Sequence, residues 1–144
     1  MHEFPHHYFV GAAAHPEGSV TVSSPGLVSL ETAPPAEFGG PGDLWSPETL
    51  LVAAVANCFI LSFRAIARAS RLDWNSVGCD VEALLDRVSG KLLFTELKLA
   101  VKLELPAVGE EVRARRILEK AEETCLITNS MSARVTLETE LVVS

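Results

Sequence analysis

Ser46-Pro47-Glu48-Thr49-Leu50-Leu51-Val52-Ala53-Ala54-Val55-Ala56-Asn57-Cys58-Phe59 reads as the start of a long helix, and the way that helix must be packed decides the architecture. The Ser46 hydroxyl can accept from N–H groups left free at a helix start, and proline at the first helical position gives up no bond it would otherwise make. Over residues 50–61 the helix is apolar on almost every face, so one sheet cannot cover it and a second layer or second subunit is required. The pattern continues to about Ser70. Arg64, Arg68 and Arg71 lie near its end, where positive charge complements the carboxyl terminus of a helix.

On the amino side, residues 8–14 and 19–24 read as short strands joined by the turn-rich His15-Pro16-Glu17-Gly18, and residues 27–31 offer a third. Residues 33–42, with three prolines and three glycines, read as a loop without regular structure. On the carboxyl side, residues 74–88 and 92–105 alternate apolar and polar about Ser89-Gly90-Lys91, as a long antiparallel hairpin requires, with Leu97, Leu99, Val101, Leu103 and Leu105 on its buried face. A second helix is expected from residue 112 to about Cys125, with Ile117, Leu118 and Ala121 apolar, and a last strand over residues 133–143. The order β-β-(β)-α-β-β-α-β is an α+β layout, with antiparallel sheets around two central helices. No repeat or internal boundary interrupts it, so residues 1–144 are read as a single domain.

The chain has 144 residues, 48% of them hydrophobic, enough for a sizeable core. Nineteen acidic residues outnumber twelve Lys and Arg, giving a formal net charge of −7, and no basic stripe follows a phosphate backbone, which argues against nucleic acid as a partner. No secretory signal is visible at the amino end, and the uninterrupted apolar run is well short of the roughly 20 residues that cross a bilayer. These features point to a cytoplasmic protein without a membrane partner. The histidines (His2, His6, His7 and His15) crowd the amino terminus without ligand spacing, so no metal site is expected.

Three cysteines in such a chain point to redox or packing roles rather than disulfide staples. A thiolate attacks a peroxide O–O bond to give a sulfenic acid, which a second thiol captures as a disulfide. Cys58 and Cys125, 67 residues apart in two helical patterns, suit that cycle. Buried cysteine is also a small hydrophobe. Cys79 alternates with Val77 and Val81 in a strand and reads as packing. Phe38, Trp45 and Phe59 flank the first motif, as pocket lining or as ordinary core aromatics.

The run from Glu37 through Leu51, leading to Cys58, together with Cys125-Leu126-Ile127-Thr128-Asn129-Ser130, resembles the OsmC/Ohr family of thiol-dependent hydroperoxide reductases. The resemblance covers nearly the whole chain, and the two motifs at this separation are more specific than either alone. It implies that Cys58 is the peroxidatic nucleophile, Cys125 the resolving thiol and Glu48 the acidic partner. It further implies an intertwined homodimer with sites built from both chains, an organic alkyl or fatty acyl hydroperoxide as substrate, and an external dithiol reductant of lipoyl type with no bound cofactor. Glu48 precedes Cys58 by ten residues, roughly 15 Å along a straight helix, so it acts across a dimer interface or indirectly. Better known members carry an arginine amino-terminal to the helix, whereas residues 1–63 here contain no Lys or Arg. The replacement cation is left open among an amino-terminal histidine, Arg64 and Arg134. The alternative from another functional class is a dimeric small-molecule-binding protein of the same fold with weak or no peroxidase activity; a depressed Cys58 pKa would count against it.

Overall fold

A computed structural model describes residues 1–144. The chain divides into two compact units, Met1–Leu51 and Val52–Ser144.

The first unit holds an antiparallel three-stranded sheet of β1 (Gly11–Ala13), β2 (Val20–Ser23) and β3 (Leu30–Thr32), in that order. The first strand is much shorter than expected, and the third one forms. Cross-strand side chains reinforce the pairing: the Ser19 and Thr21 hydroxyls both donate to the Glu31 carboxylate, and Thr32 Oγ1 donates to the Val20 carbonyl at 3.1 Å. The loop that follows is not wholly irregular. Ala36–Phe38 forms one 3-10 turn after Pro35, because proline is compatible with a helical start and Gly39, at φ 85°, closes the turn in the left-handed region. Gly40 is required by space: a Cβ there would sit 1.7 Å from the Pro34 carbonyl oxygen. Thr32 bridges to Trp45, which brings the chain to the helix start.

Helix α1 (Pro47–Ala69) begins in this unit and continues into the second. Its start is a reciprocal cap, with Thr49 N–H donating to Ser46 Oγ at 3.1 Å and Ser46 N–H donating to Thr49 Oγ1 at 2.8 Å. This is a capping box with threonine in the position usually held by glutamate or glutamine. The whole 23-residue helix is long and apolar enough to cross a membrane by length and composition alone, a test that the core helix of a globular protein also passes. One stripe, Val55, Phe59, Phe63 and Ala67, is buried in the core of the second unit. Leu61, at 51% exposure, lies off that stripe, so the helix's other faces remain without the second cover that its composition predicts.

The second unit's sheet has the order β4 (Ser76–Val88), β5 (Lys91–Leu105) and β6 (Arg134–Val143). Strands β4 and β5 are an antiparallel hairpin turned by Ser89 and Gly90, both at positive φ (50° and 81°), the two-residue geometry that matches strand twist. Leu97, Leu99, Val101, Leu103 and Leu105 are all buried, as their alternation predicts. Strand β6 pairs with β5 in parallel, so this sheet is mixed and not antiparallel throughout. The cause is topological, since a neighbouring strand reached through a helical crossover runs in the same direction. The crossover is α2 (Glu111–Glu123) and the single turn α3 (Leu126–Asn129). Ala114, Ile117, Leu118 and Ala121 form the buried face of α2. Beyond the expected arginines, the α1 carboxyl end is held by Arg113, whose guanidinium donates to the Ser70 and Arg71 carbonyls and pairs with Glu110 at 2.7 Å.

Candidate active site

Cys58 lies in the fourth turn of α1, half-buried. Cys125, 1% exposed, is not inside a helix: α2 ends at Glu123, and Cys125 is the extended residue (φ −66°, ψ 111°) from which α3 starts. The expected helix breaks there because Thr124 takes a non-helical conformation and folds its own hydroxyl back onto the Lys120 carbonyl at 2.8 Å. The break serves the thiols. At a helix start the first N–H groups have no intrahelical acceptor, and those of Leu126 and Ile127 are among the groups that lower the Cys58 pKa.

The two thiols are pushed in opposite directions. Burial raises the Cys58 pKa. Against it act the Ile127 N–H, the Cys125 thiol, the Ser62 hydroxyl and the Leu126 N–H, which together leave Cys58 below the ordinary thiol value. Burial also raises Cys125; the Thr128 N–H and hydroxyl lower it, but the hydrogen bond to Cys58 and the charge there raise it further, and the net direction is upward. The arrangement favours a thiolate on Cys58 with a protonated Cys125 donating to it, the division of roles that nucleophilic attack followed by disulfide closure needs.

None of the donors that depress Cys58 is a cation: neither Arg64 nor Arg134 nor a histidine is among them. Backbone and hydroxyl donors stand where an arginine was sought. Ser62, four residues beyond Cys58 and so one turn along α1, was absent from the sequence reading, although its spacing was a usable signal. The Leu126 and Ile127 amides leave no side-chain signature.

Glu48 belongs to the first unit and is not a partner of either thiol. It lines an apolar cavity of about 420 Å³ formed by β2, the 33–38 segment and the first turn of α1. Its Oε1 atom is buried and accepts no hydrogen bond. Phe38 lines the same cavity, Trp45 is half exposed, and Phe59 is a fully buried core residue. Cys79 packs against the core from β4.

Residues 40–140 match the family model described as OsmC-like protein. The chain belongs to this family. Among its relatives, the uncharacterized protein YmaD of Bacillus subtilis is 25% identical over 94% of this chain and 93% of its own length. The organic hydroperoxide resistance protein of Xanthomonas axonopodis pv. citri is 27% identical over 79% of both chains. Among solved OsmC-like structures, that of VCA0330 from Vibrio cholerae, of unknown function, superposes with a TM-score of 0.86 at 18% identity, covering 94% of this chain and all of that one. The organic hydroperoxide resistance protein OsmC from Legionella pneumophila superposes with a TM-score of 0.73 at 26% identity, over 98% of this chain and all of that one. The α+β fold is that of OsmC-like proteins, and the family includes organic hydroperoxide resistance proteins.

Proposed function

We propose that this protein reduces organic hydroperoxides to alcohols, with Cys58 as nucleophile and Cys125 as resolving thiol. The reading rests above all on the unequal thiol pair, in which the Cys58 pKa is lowered and the Cys125 pKa raised, each by its surroundings and by the other thiol. The organic hydroperoxide resistance relatives support it.

The Cys58 thiolate attacks the O–O bond; an S–O bond forms, the alkoxide leaves and takes up a proton, and Cys58 becomes a sulfenic acid. Cys125 then attacks the Cys58 sulfur, an S–S bond forms, and the hydroxyl leaves as water with the Cys125 proton. The peroxide gains the two electrons that the thiol pair loses. An external dithiol of lipoyl type exchanges with the disulfide and restores both thiols, with small thiols as substitutes and no metal, flavin or haem involved. Glu48 takes the acidic role in this reading from the second chain of an intertwined homodimer, because roughly 15 Å of helix separates it from its own Cys58.

The test is consumption of tert-butyl and cumene hydroperoxide, with hydrogen peroxide as comparison, in the presence of dihydrolipoamide or dithiothreitol. Cys58→Ser should fall to the reagent blank. Cys125→Ser should consume one equivalent of peroxide and form no internal crosslink. Full turnover in Cys58→Ser would end the proposal.

A further inference from the structure

We propose that Thr128 is the positioning residue for the resolving thiol: after Cys58 has been oxidised, the Thr128 hydroxyl turns its proton from the Cys125 carbonyl to the Cys125 sulfur and holds that sulfur as the nucleophile that closes the disulfide. The inference rests on the peroxidase reading and concerns only its second chemical step.

Thr128 is 5% exposed and is one of three buried polar side chains, with Thr32 and Ser46. The other two have structural tasks: Ser46 caps α1, and Thr32 ties β3 to the Val20 carbonyl. The bond made by Thr128 is redundant. Its Oγ1 donates to the Cys125 carbonyl at 3.2 Å, but that carbonyl also accepts from the Asn129 N–H at 3.0 Å. The hydroxyl proton can therefore leave without orphaning a buried acceptor, and burial removes the water that would compete for it. The Cys125 sulfur is the acceptor it can turn to. Cys125 is the residue from which α3 starts and Thr128 is the third residue of that turn, and a side chain at the first of these positions is placed to accept from the other. In the reduced protein the Cys125 thiol makes no such capping bond. A thiolate, which only accepts, would make it.

The surroundings of Cys125 leave this task to Thr128. Burial and the neighbouring Cys58 raise the Cys125 pKa, and only the Thr128 N–H and hydroxyl lower it. The titratable groups that sense Cys125 are Cys58 from α1 and Cys79 from β4, the latter raised to about 11 and so uncharged at neutral pH. No Lys, Arg, Asp or Glu is among the groups acting on it. While Cys58 is a thiolate, its charge keeps Cys125 protonated. Once Cys58 is a neutral sulfenic acid that charge is gone, burial and Thr128 are left to oppose each other, and Cys125 can ionise. Its thiolate attacks the Cys58 sulfur; the S–S bond forms, the S–O bond breaks, and the hydroxide leaves as water with the proton that Cys125 gave up. No oxidant is needed beyond the hydroperoxide that made the sulfenic acid.

The deciding experiment is a single turnover of the full-length protein with one equivalent of cumene hydroperoxide, quenched with a thiol alkylator and read by mass spectrometry for Cys58 sulfenic acid and for the Cys58 to Cys125 disulfide, between pH 6 and pH 9. Thr128→Val, which keeps the side chain's shape, should form the sulfenic acid at the wild-type rate and close the disulfide roughly tenfold more slowly, the scale of one hydrogen bond to a charged group. Its closure profile should move to higher pH, because a group that lowers the Cys125 pKa is gone. With excess hydroperoxide the lingering sulfenic acid should pass on to sulfinic acid. Thr128→Ser should restore closure, and Thr128→Ala should repeat the defect, so that the result does not hang on the folding of one variant. Closure at the wild-type rate in Thr128→Val would overturn this inference alone. Equal slowing of both steps would overturn it too, by giving Thr128 a general role in the fold. A wild type that forms neither Cys58 sulfenic acid nor disulfide would overturn it together with the peroxidase reading.

Discussion

Cys58 and Glu48 lie ten residues apart on one helix, and the chain around them treats them in opposite ways. Four donors lower the Cys58 pKa, two of them amides at the break between α2 and α3. Glu48 Oε1, on the first turn, accepts from none. The difference teaches that every group lowering the Cys58 pKa lies in the second unit, whereas the acidic group of the first has no partner within its own unit.

The sharpest break of this comparison is on the Glu48 side. In Gly40→Ala the new methyl would meet the Pro34 carbonyl at 1.7 Å, so the backbone that carries Pro34, Pro35 and Phe38 must move. Overpacking of this kind costs about 1–3 kcal/mol and lowers the melting temperature by roughly 5–10 °C in a chain of this size. The pH profile of Cys58 alkylation should stay where it was. A shifted thiol profile would mean that the two sites are not separable as described.

A smaller change tests the other side. Leu126 is exposed and occupies the first position of α3, where proline is well tolerated, and Cys125 before it already has the extended backbone that a following proline demands. Leu126→Pro therefore deletes one donor to Cys58 and little else. The Leu126 amide is the weakest of the four donors, so the alkylation rate at pH 7 should fall as the Cys58 pKa rises, by less than the roughly tenfold that one full hydrogen bond to a charged group is worth. An unchanged rate would remove the backbone amides from the account of Cys58.

How much of this could be read from the residues depends on whether a side chain carries the information. Ser46-Pro47 announces the start of α1, and the alternation from Leu97 to Leu105 announces the buried face of β5, because capping and burial each select residue types. The direction of β6 is not in its alternation, which is the same for parallel and antiparallel pairing; only the helix between β5 and β6 bears on it. The pause at Cys125 was hidden because Leu126 and Ile127 extend the apolar pattern of α2. The amides it frees belong to the backbone and have no residue signature. Both thiols and Glu48 could be singled out from sequence, but the contrast in their partners could not.

Cys79 gives the smallest and most specific test, because it is a second half-buried thiol without Cys58's donors. Burial raises its pKa first, the neighbouring Asp80 charge and the more distant Cys125 add to that, and the result is a value of about 11 against an ordinary 9.0. Because the native state holds this proton to higher pH than the unfolded chain does, Cys79's contribution to stability is fully present below pH 9.0 and is lost as pH rises through about 11. Cys125, also raised, acts in the same sense, and Cys58, lowered, in the opposite sense. Cys79→Val, which continues the packing of Val77 and Val81, removes one of these contributions and leaves the other two. The variant should match the wild type in hydroperoxide turnover at pH 7 and should lose less thermal stability between pH 8 and pH 10.5. Equal losses would mean that Cys79 is ionised as easily folded as unfolded. The donors around Cys58 would then no longer distinguish it from a thiol that is merely buried.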